Sequence, residues 1–332
     1  MCCGIKGNFV FLRVMKPIFT IFSLAGRRSV GLRRGLLAAG AALVLSLPLA
    51  ARMPQKGLAE QIVELTTRCR AQTGVAVIMG RDTVCVGNDT HYPMMSVMKL
   101  PLAVWVVDSL LHHGCSWRDT VEVDSASLLP NTYSPMRQQY PRGGRFSMEQ
   151  VLNYSLQLSD NNACDWLLQR SGGPRAVERF LRRRGLTNIS IQFTEDDMHV
   201  DPRRAYGNWT TPLEMARLVA MLLEPGHLTD ERGQEWLRGS LLQCQTGQNR
   251  LARPLEGTGA AFGHKTGTSD RDAQGRLTAM ADAGFVRLPD GRTYVIVVFV
   301  KDAAESDARV EQLMADVSEL VYRTVVTRGG IR

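Results

Sequence analysis

The strand-forming segments of this 332-residue chain lie near its two ends, and a long run of helix signals separates them. That order dictates an α/β unit interrupted by a helical insertion. Val75-Ala-Val-Ile-Met79 and Thr83-Val-Cys-Val86 flank the turn Gly80-Arg81-Asp82, which predicts a hairpin. Near the other end, segments 277–288 and 292–300 flank Pro289-Asp290-Gly291, a turn between two apolar runs. A helix over about 57–73 precedes the first pair: Leu58, Ile62, Leu65 and Cys69 form one apolar stripe, ended by Gly74. A last helix carries Val310, Leu313, Met314, Val317, Leu320 and Val321 at helical spacing, so it should pack on the sheet.

Between roughly 90 and 235 the insertion is predicted to be all-helical. Ser147-Met-Glu-Gln150 and Thr211-Pro-Leu-Glu214 both fit the capping box, in which the first side chain bonds the third amide and Glu or Gln reaches back. Pro212 and Pro174 suit first helical turns. Arg182-Arg183-Arg184 before Gly185 complements the dipole at a helix C-terminus, an ordinary reading that outweighs an anion site. Hydrophobic residues make up 44% of the chain, enough for a large core and too many for disorder.

The formal charge of +8 does not mark a nucleic-acid binder. Residues 1–50 hold seven basic and no acidic side chains, which leaves +1 for the remainder. That segment reads as an export leader over 1–51: Arg27-Arg28 and Arg33-Arg34 precede an apolar run over 35–49, with small residues Ala50-Ala51 at the cleavage position. The run is short for a membrane span, which favours a cleaved signal over an uncleaved anchor and implies a periplasmic or secreted protein. Beyond the leader stand Cys69, Cys85, Cys115, Cys164 and Cys244, an odd number that leaves at least one unpaired in a monomer. The cysteines form no Cys-x-x-Cys and the histidines no zinc spacing, so neither metal nor other cofactor is expected.

Four short clusters carry the chemistry: Ser96-Val97-Met98-Lys99, Ser159-Asp160-Asn161, Glu195, and Lys265-Thr266-Gly267. A serine hydroxyl needs a base to take its proton as it attacks. With Ser96 opening a helix, Lys99 stands one turn on along the same face, within reach of that hydroxyl. Ser-x-x-Lys alone occurs by chance roughly once in a chain this long. Its setting strengthens it, since a polar loop, Gly87-Asn-Asp-Thr90, precedes it and the apolar run 100–111, a buried helix, follows. The hydroxyl then sits at a helix N-terminus, where developing negative charge is favoured. Ser159-Asp160-Asn161 also fits a simple N-cap. Lys265-Thr266-Gly267 reads as a strand in which the glycine lets a substrate backbone approach the edge.

In this order the clusters resemble the serine penicillin-recognising enzymes, the class A β-lactamases and penicillin-binding proteins. The resemblance covers nearly the whole mature chain. It implies an antiparallel sheet flanked by N- and C-terminal helices (52–90 and 236–332), an inserted helical domain (91–235) with a catalytic polar loop over 193–210, and a site between them. By that likeness Ser96 is acylated and Lys99 carries a proton. Ser159 passes a proton to the lactam nitrogen, Asn161 holds the substrate's side-chain amide, and Lys265 and Thr266 meet its carboxylate. The backbone N–H groups of Ser96 and Thr268 form the oxyanion hole.

The choice within the superfamily turns on Glu195. Acylation alone leaves an enzyme inhibited by a β-lactam; turnover needs a second base. Glu195-Asp196-Asp197-Met198-His199 resembles the class A segment whose Glu activates the deacylating water, and Trp209-Thr-Thr-Pro212 resembles the exit from that loop. The commoner pattern has Pro after the Glu and Asn four positions beyond it, where this chain has Asp196 and His199. A divergent branch that includes extended-spectrum cephalosporinases is closer, and His199 becomes the candidate water holder. Arg250 resembles an arginine that backs recognition of the substrate carboxylate. Met95 and Ser269 replace the cysteines that one carbapenemase group pairs. The resemblance therefore implies a hydrolase of small-molecule β-lactams, exported by its leader, with a monomer as the default. A D,D-peptidase is the first alternative. A non-hydrolytic β-lactam receptor is the second, opposed by the lack of a spanning segment after Ala51.

Overall fold

The computed structural model describes residues 56–331, so the leader over 1–51 lies outside the described residues. The chain enters through helix α1 (Leu58–Thr66) and strands β1 (Gln72–Met79) and β2 (Asp82–Val86). It then leaves the sheet through β3 (Tyr92–Pro93), α2 (Lys99–His112), β4 (Thr120–Asp124), α3 (Pro135–Gln139) and β5 (Gly143–Ser147). Helices α4 (Met148–Gln157), α5 (Asn161–Arg170) and α6 (Pro174–Arg183) follow. Next come β6 (Ile189–Ser190), α7 (Glu195–Val200), β7 (Trp209–Thr210), α8 (Pro212–Leu223) and α9 (Glu231–Leu241). The chain returns as β8 (Ala261–Thr268), β9 (Leu277–Arg287), β10 (Thr293–Ala303) and α10 (Asp307–Arg328).

The two ends build one antiparallel sheet in the order β2-β1-β10-β9-β8. Its centre is β10, whose run Tyr294-Val-Ile-Val-Val-Phe-Val300 is apolar at every position because both faces are covered. Tyr294, Ile296, Val298 and Val300 join the layer of α1 and α10, with Leu58, Ile62, Val310, Met314 and Val317. Val295, Val297 and Phe299 face the other way, into a layer with Met215, Val219 and Leu222 of α8. Helix α2 lies deep in this second layer, with ten of its fourteen residues buried.

Several expectations are corrected. The first helix stops at Thr66 rather than near 73, because Gln72 and Thr73 pair with Lys301 and Val300 and extend the sheet. The insertion is not all-helical: β4 and β5 form a ribbon, and β3, β7 and β6 a small sheet. Strands of two to five residues show too little alternation to be read, although Val123 and Phe146 of the ribbon bury their side chains in the helical core. The capping box at Ser147 is complete. At Thr211 only half of it forms, since Glu214 accepts from the Asn188 amide and pairs with Arg217. The segment Met95–His112 is apolar enough to span a membrane, contrary to expectation, but 67% of it is buried inside the protein. It is a core helix.

Candidate active site

Ser96 sits in a 3₁₀ turn, Met95–Met98, that runs into α2. Its neighbour Met95 has φ 46°, an unusual value for a side chain of that size and a mark of local strain. The turn presses against β8, and Gly267 is what lets it. A Cβ there would lie 2.6 Å from the Met94 carbonyl oxygen and 3.2 Å from the Ser96 nitrogen. The glycine thus makes room for the backbone that carries Ser96.

One turn along, the fully buried Lys99 points its amine at four acceptors. Nζ lies 2.7 Å from Ser96 Oγ, 3.0 Å from the Ser159 carbonyl, 2.6 Å from Asn161 Oδ1 and 2.8 Å from Glu195 Oε1. Ser96 Oγ donates to Glu195 Oε1 at 3.3 Å. The hydroxyl therefore stands between an amine and a carboxylate, and either can receive its proton.

Ser159 also adopts a left-handed conformation, φ 60°, at the entrance to α5. Asp160 caps that helix through Ala163 and takes further bonds from Ser134 and the Met136 amide, so the N-cap reading of this triplet also holds. The capped turn points Ser159 Oγ at Lys265, which donates to it at 2.9 Å, and Asn161 Nδ2 at Thr132 Oγ1, 2.8 Å away. Lys265 is wholly buried. Burial, and after it the charge of Lys99, push its amine down to about 7.

The sign of that shift yields a pH prediction. Below pH 7 Lys265 is a cation, the form that a contact with a substrate carboxylate would require, and above it the cation is lost. For a β-lactam bearing a carboxylate, kcat/KM is expected to fall by about tenfold per unit once the pH exceeds this value. A flat profile from about pH 6 to 9 would remove Lys265 from carboxylate recognition. Stability moves the other way. The unfolded chain keeps this proton up to the ordinary lysine range, so the group's contribution rises with pH above about 7.

Glu195 is the first residue of α7, 7% exposed, behind the cap Thr194. What holds it is Asp165, a residue sequence reasoning missed. Asp165 Oδ1 and Oδ2 each accept a backbone N–H at 2.8 Å, from Glu195 and Asp196. Burial, then the Glu195 charge, raise its carboxyl to about 7 against those two bonds. The available signal was its position four residues beyond Asn161, on the same face of α5. Asn208, fully buried, ties the base of the loop by accepting from the Gln192 and Phe193 amides and donating to the Phe193 carbonyl. His199 is exposed at the far end of α7, and no hydrogen bond joins it to Glu195. The side chain of this short helix buried with Glu195 is Met198.

Behind β8, Arg250 is buried and donates to the Gly267 carbonyl at 3.1 Å and to Thr268 Oγ1 at 2.7 Å. It braces the strand that carries Lys265 and Thr266. Thr266 Oγ1 bonds Thr246 Oγ1 at 2.5 Å. On the edge strand β8, Ser269 N–H donates to Ala279, and the alternation of an antiparallel pair turns the Thr268 amide away from β9. The Ser96 amide lies in the first turn of its helical segment, where N–H groups lack intrahelical partners. The site thus combines the Ser96 hydroxyl between an amine and a carboxylate on one side, a Ser-Lys pair on the other, and backbone donors.

A family model described as the beta-lactamase enzyme family matches residues 57–325. The chain belongs to that family. A β-lactamase of Bacteroides uniformis is 34% identical over 273 residues, 80% of this chain and 92% of the relative. The extended-spectrum β-lactamase PER-1 of Pseudomonas aeruginosa is 35% identical over 271 residues, 80% of this chain and 86% of the relative. A class A β-lactamase structure from Bacteroides cellulosilyticus superposes with a TM-score of 0.78 at 33% identity, covering 81% of this chain and 96% of that one. This β-lactamase falls within class A, has its mixed fold of helices and antiparallel sheet, and is a β-lactam hydrolase.

Proposed function

We propose that this β-lactamase opens the lactam through an acyl-enzyme on Ser96 and releases the product with water activated by Glu195. The observation that carries the reading is the position of Glu195 Oε1, 2.8 Å from Lys99 Nζ and 3.3 Å from Ser96 Oγ. Ser96 attacks the lactam carbonyl, with Lys99 and Glu195 as the acceptors for its proton. The Ser96 and Thr268 amides hold the oxyanion, the term that contributes most in acyl transfer. As the C–N bond breaks, Ser159 hands its proton to the nitrogen and recovers one through Lys265, 2.9 Å away. Asn161 binds the side-chain amide, and Lys265 and Thr266 bind the carboxylate, with Arg250 as brace. Glu195 then takes a proton from the water that attacks the acyl carbon.

A carboxylate at the nucleophile favours a hydrolase over a D,D-peptidase, in which acylation by a β-lactam is an end state. Purified protein is expected to turn over a chromogenic cephalosporin many times per molecule. A single burst equal to the protein concentration, followed by silence, would overturn the reading. Penicillins and cephalosporins are the proposed substrates, with the extended-spectrum PER-1 among its relatives. The basic and apolar pattern of 1–51 supports export to the periplasm or medium. N-terminal sequencing of exported protein should find a start near residue 51.

A further inference from the structure

Helix α7 and a 3₁₀ turn, Pro202–Gly207, make up the loop that carries Glu195. Asp165 holds its start. Its end is held by the sheet: Tyr206 Oη donates to Asp302 Oδ1 at 2.5 Å, although the two residues are 96 positions apart. Tyr206 is 43% exposed, and among the described residues this is the one hydrogen bond that either side chain makes. The cations near Asp302 are committed elsewhere. Arg276 Nε donates to Asp272 at 2.9 Å, and Lys301 Nζ to the His91 carbonyl at 2.9 Å. Backbone conformation turns Asp302 toward the loop. Along β10, Val298 and Val300 face the layer of α1 and α10, so simple alternation would send residue 302 the same way. The loop lies on the other side, where its Met198 and Ala205 join the core with Phe299. Asp302 takes φ 54°, a left-handed conformation that is strained for a non-glycine residue, and its carboxylate reaches Tyr206.

The last turn of the loop touches its first turn at two points. Gly207 lies against Phe193, where a Cβ would stand 2.5 Å from the ring. Arg204 donates to Asp197 Oδ1 at 2.8 Å, and Asp197 Oδ2 accepts from the Thr194 amide at 3.0 Å. Phe193 and Thr194 immediately precede Glu195, so a shift of the Tyr206 turn is passed to the backbone that aims the carboxylate. The exit of the loop is anchored separately. The Asn208 carbonyl accepts from the Met94 amide at 2.8 Å, and Thr210 and Trp209 pair with Tyr92 and Pro93. Trp209 also stacks on His91 with ring centroids 3.5 Å apart. None of these contacts uses the Tyr206 hydroxyl, so its removal leaves the exit in place.

We propose that Tyr206 and Asp302 form a clasp that fixes the Glu195 loop against the sheet, which makes both of them positioning residues for deacylation. The inference rests on the role of Glu195 proposed above. Its effect falls on one step. Acylation has two acceptors for the Ser96 proton, and Lys99, 2.7 Å from Ser96 Oγ, sits on α2 outside the loop. Deacylation has Glu195 alone. A displacement of about an ångström in a catalytic group, caused far from the reacting atoms, is enough to slow the step that depends on it.

The test is rapid mixing of the enzyme with a chromogenic cephalosporin, with decay of the acyl-enzyme followed by intact mass. Tyr206→Phe, which keeps the ring, and Asp302→Ala should each acylate at the parent's rate and deacylate about three- to tenfold more slowly, the worth of one hydrogen bond. Where deacylation limits turnover, kcat and KM then fall together and kcat/KM is unchanged. Asp302→Asn accepts the same bond and tolerates the same φ, so it should restore the parent's rate. The double variant Tyr206→Phe with Asp302→Ala should be no slower than the slower single one. Deacylation at the parent's rate in both single variants, equal losses in the two steps, or an asparagine variant as slow as the alanine one would overturn the clasp. A parent that acylates once and stalls would overturn the Glu195 reading instead. Hydrogen exchange then decides the clasp by itself: amides 195–207 should exchange faster in Tyr206→Phe than in the parent, and unchanged exchange would sink it.

Discussion

Glu195→Gln enzyme mixed with a chromogenic cephalosporin is expected to acylate and stop, its intact mass raised by one substrate residue while turnover falls about 10³-fold or more. Glutamine keeps the size of the side chain and an oxygen to accept from Lys99, so the pocket around the buried amine stays filled. What it loses is basicity. The acyl bond to Ser96 then persists, because the attacking water has no group to take its proton. Intact-mass spectrometry over minutes, with parent enzyme alongside, reads the outcome. A variant that turns over like the parent would remove Glu195 from deacylation. One that fails to acylate would assign Glu195 the first step as well, a role its 3.3 Å contact with Ser96 Oγ permits.

Ser96→Ala should do the opposite: no adduct at any time, and a loss of about 10⁵- to 10⁶-fold in kcat, as found where a serine nucleophile is removed. The double variant with Glu195→Gln should be no slower than Ser96→Ala alone, since the two groups act on one bond in sequence. Folding should survive. Lys99 retains the Ser159 carbonyl, Asn161 Oδ1 and Glu195, so the thermal midpoint is expected to shift by the equivalent of about 1 kcal/mol or less. Substantial turnover by Ser96→Ala, measured with the same cephalosporin, would exclude the acyl-enzyme route.

Much of this site was legible because its signals are local. A serine and a lysine three positions apart at a helix start meet by helix geometry alone, and the Nζ to Oγ distance of 2.7 Å follows from that spacing. The central sheet was legible for the same reason, its strands being long, apolar and punctuated by turns. The ribbon and the small sheet of the insertion were not, because strands of two to five residues carry almost no period and form only where partners distant in sequence supply the other edge.

Asp165 shows the limit within the site. Nothing in its own neighbourhood marks it as more than a polar residue on α5, and its role comes from two backbone amides 30 and 31 positions away. His199 shows the converse. It occupies a position where the resemblance invites a water holder, yet the turn of α7 carries it to the surface. Gly267 was picked out from its motif, but only the packing of β8 on the Ser96 turn shows which protein atoms occupy the space of the missing side chain.

The Ser-x-x-Lys, Ser-Asp-Asn and Lys-Thr-Gly clusters and the class they point to were readable from the chain, since they are short motifs whose geometry a helix or strand imposes. Only the packing of distant segments shows that Glu195 closes on Lys99 and Ser96 from 99 positions beyond the serine, that Asp165 fixes it there, and that His264 pairs with Asp282 behind the active-site strand. The physical reason is one of range. Backbone geometry constrains residues a turn or a strand apart, whereas charge pairs and buried hydrogen bonds between distant segments exist only once the core has brought those segments together.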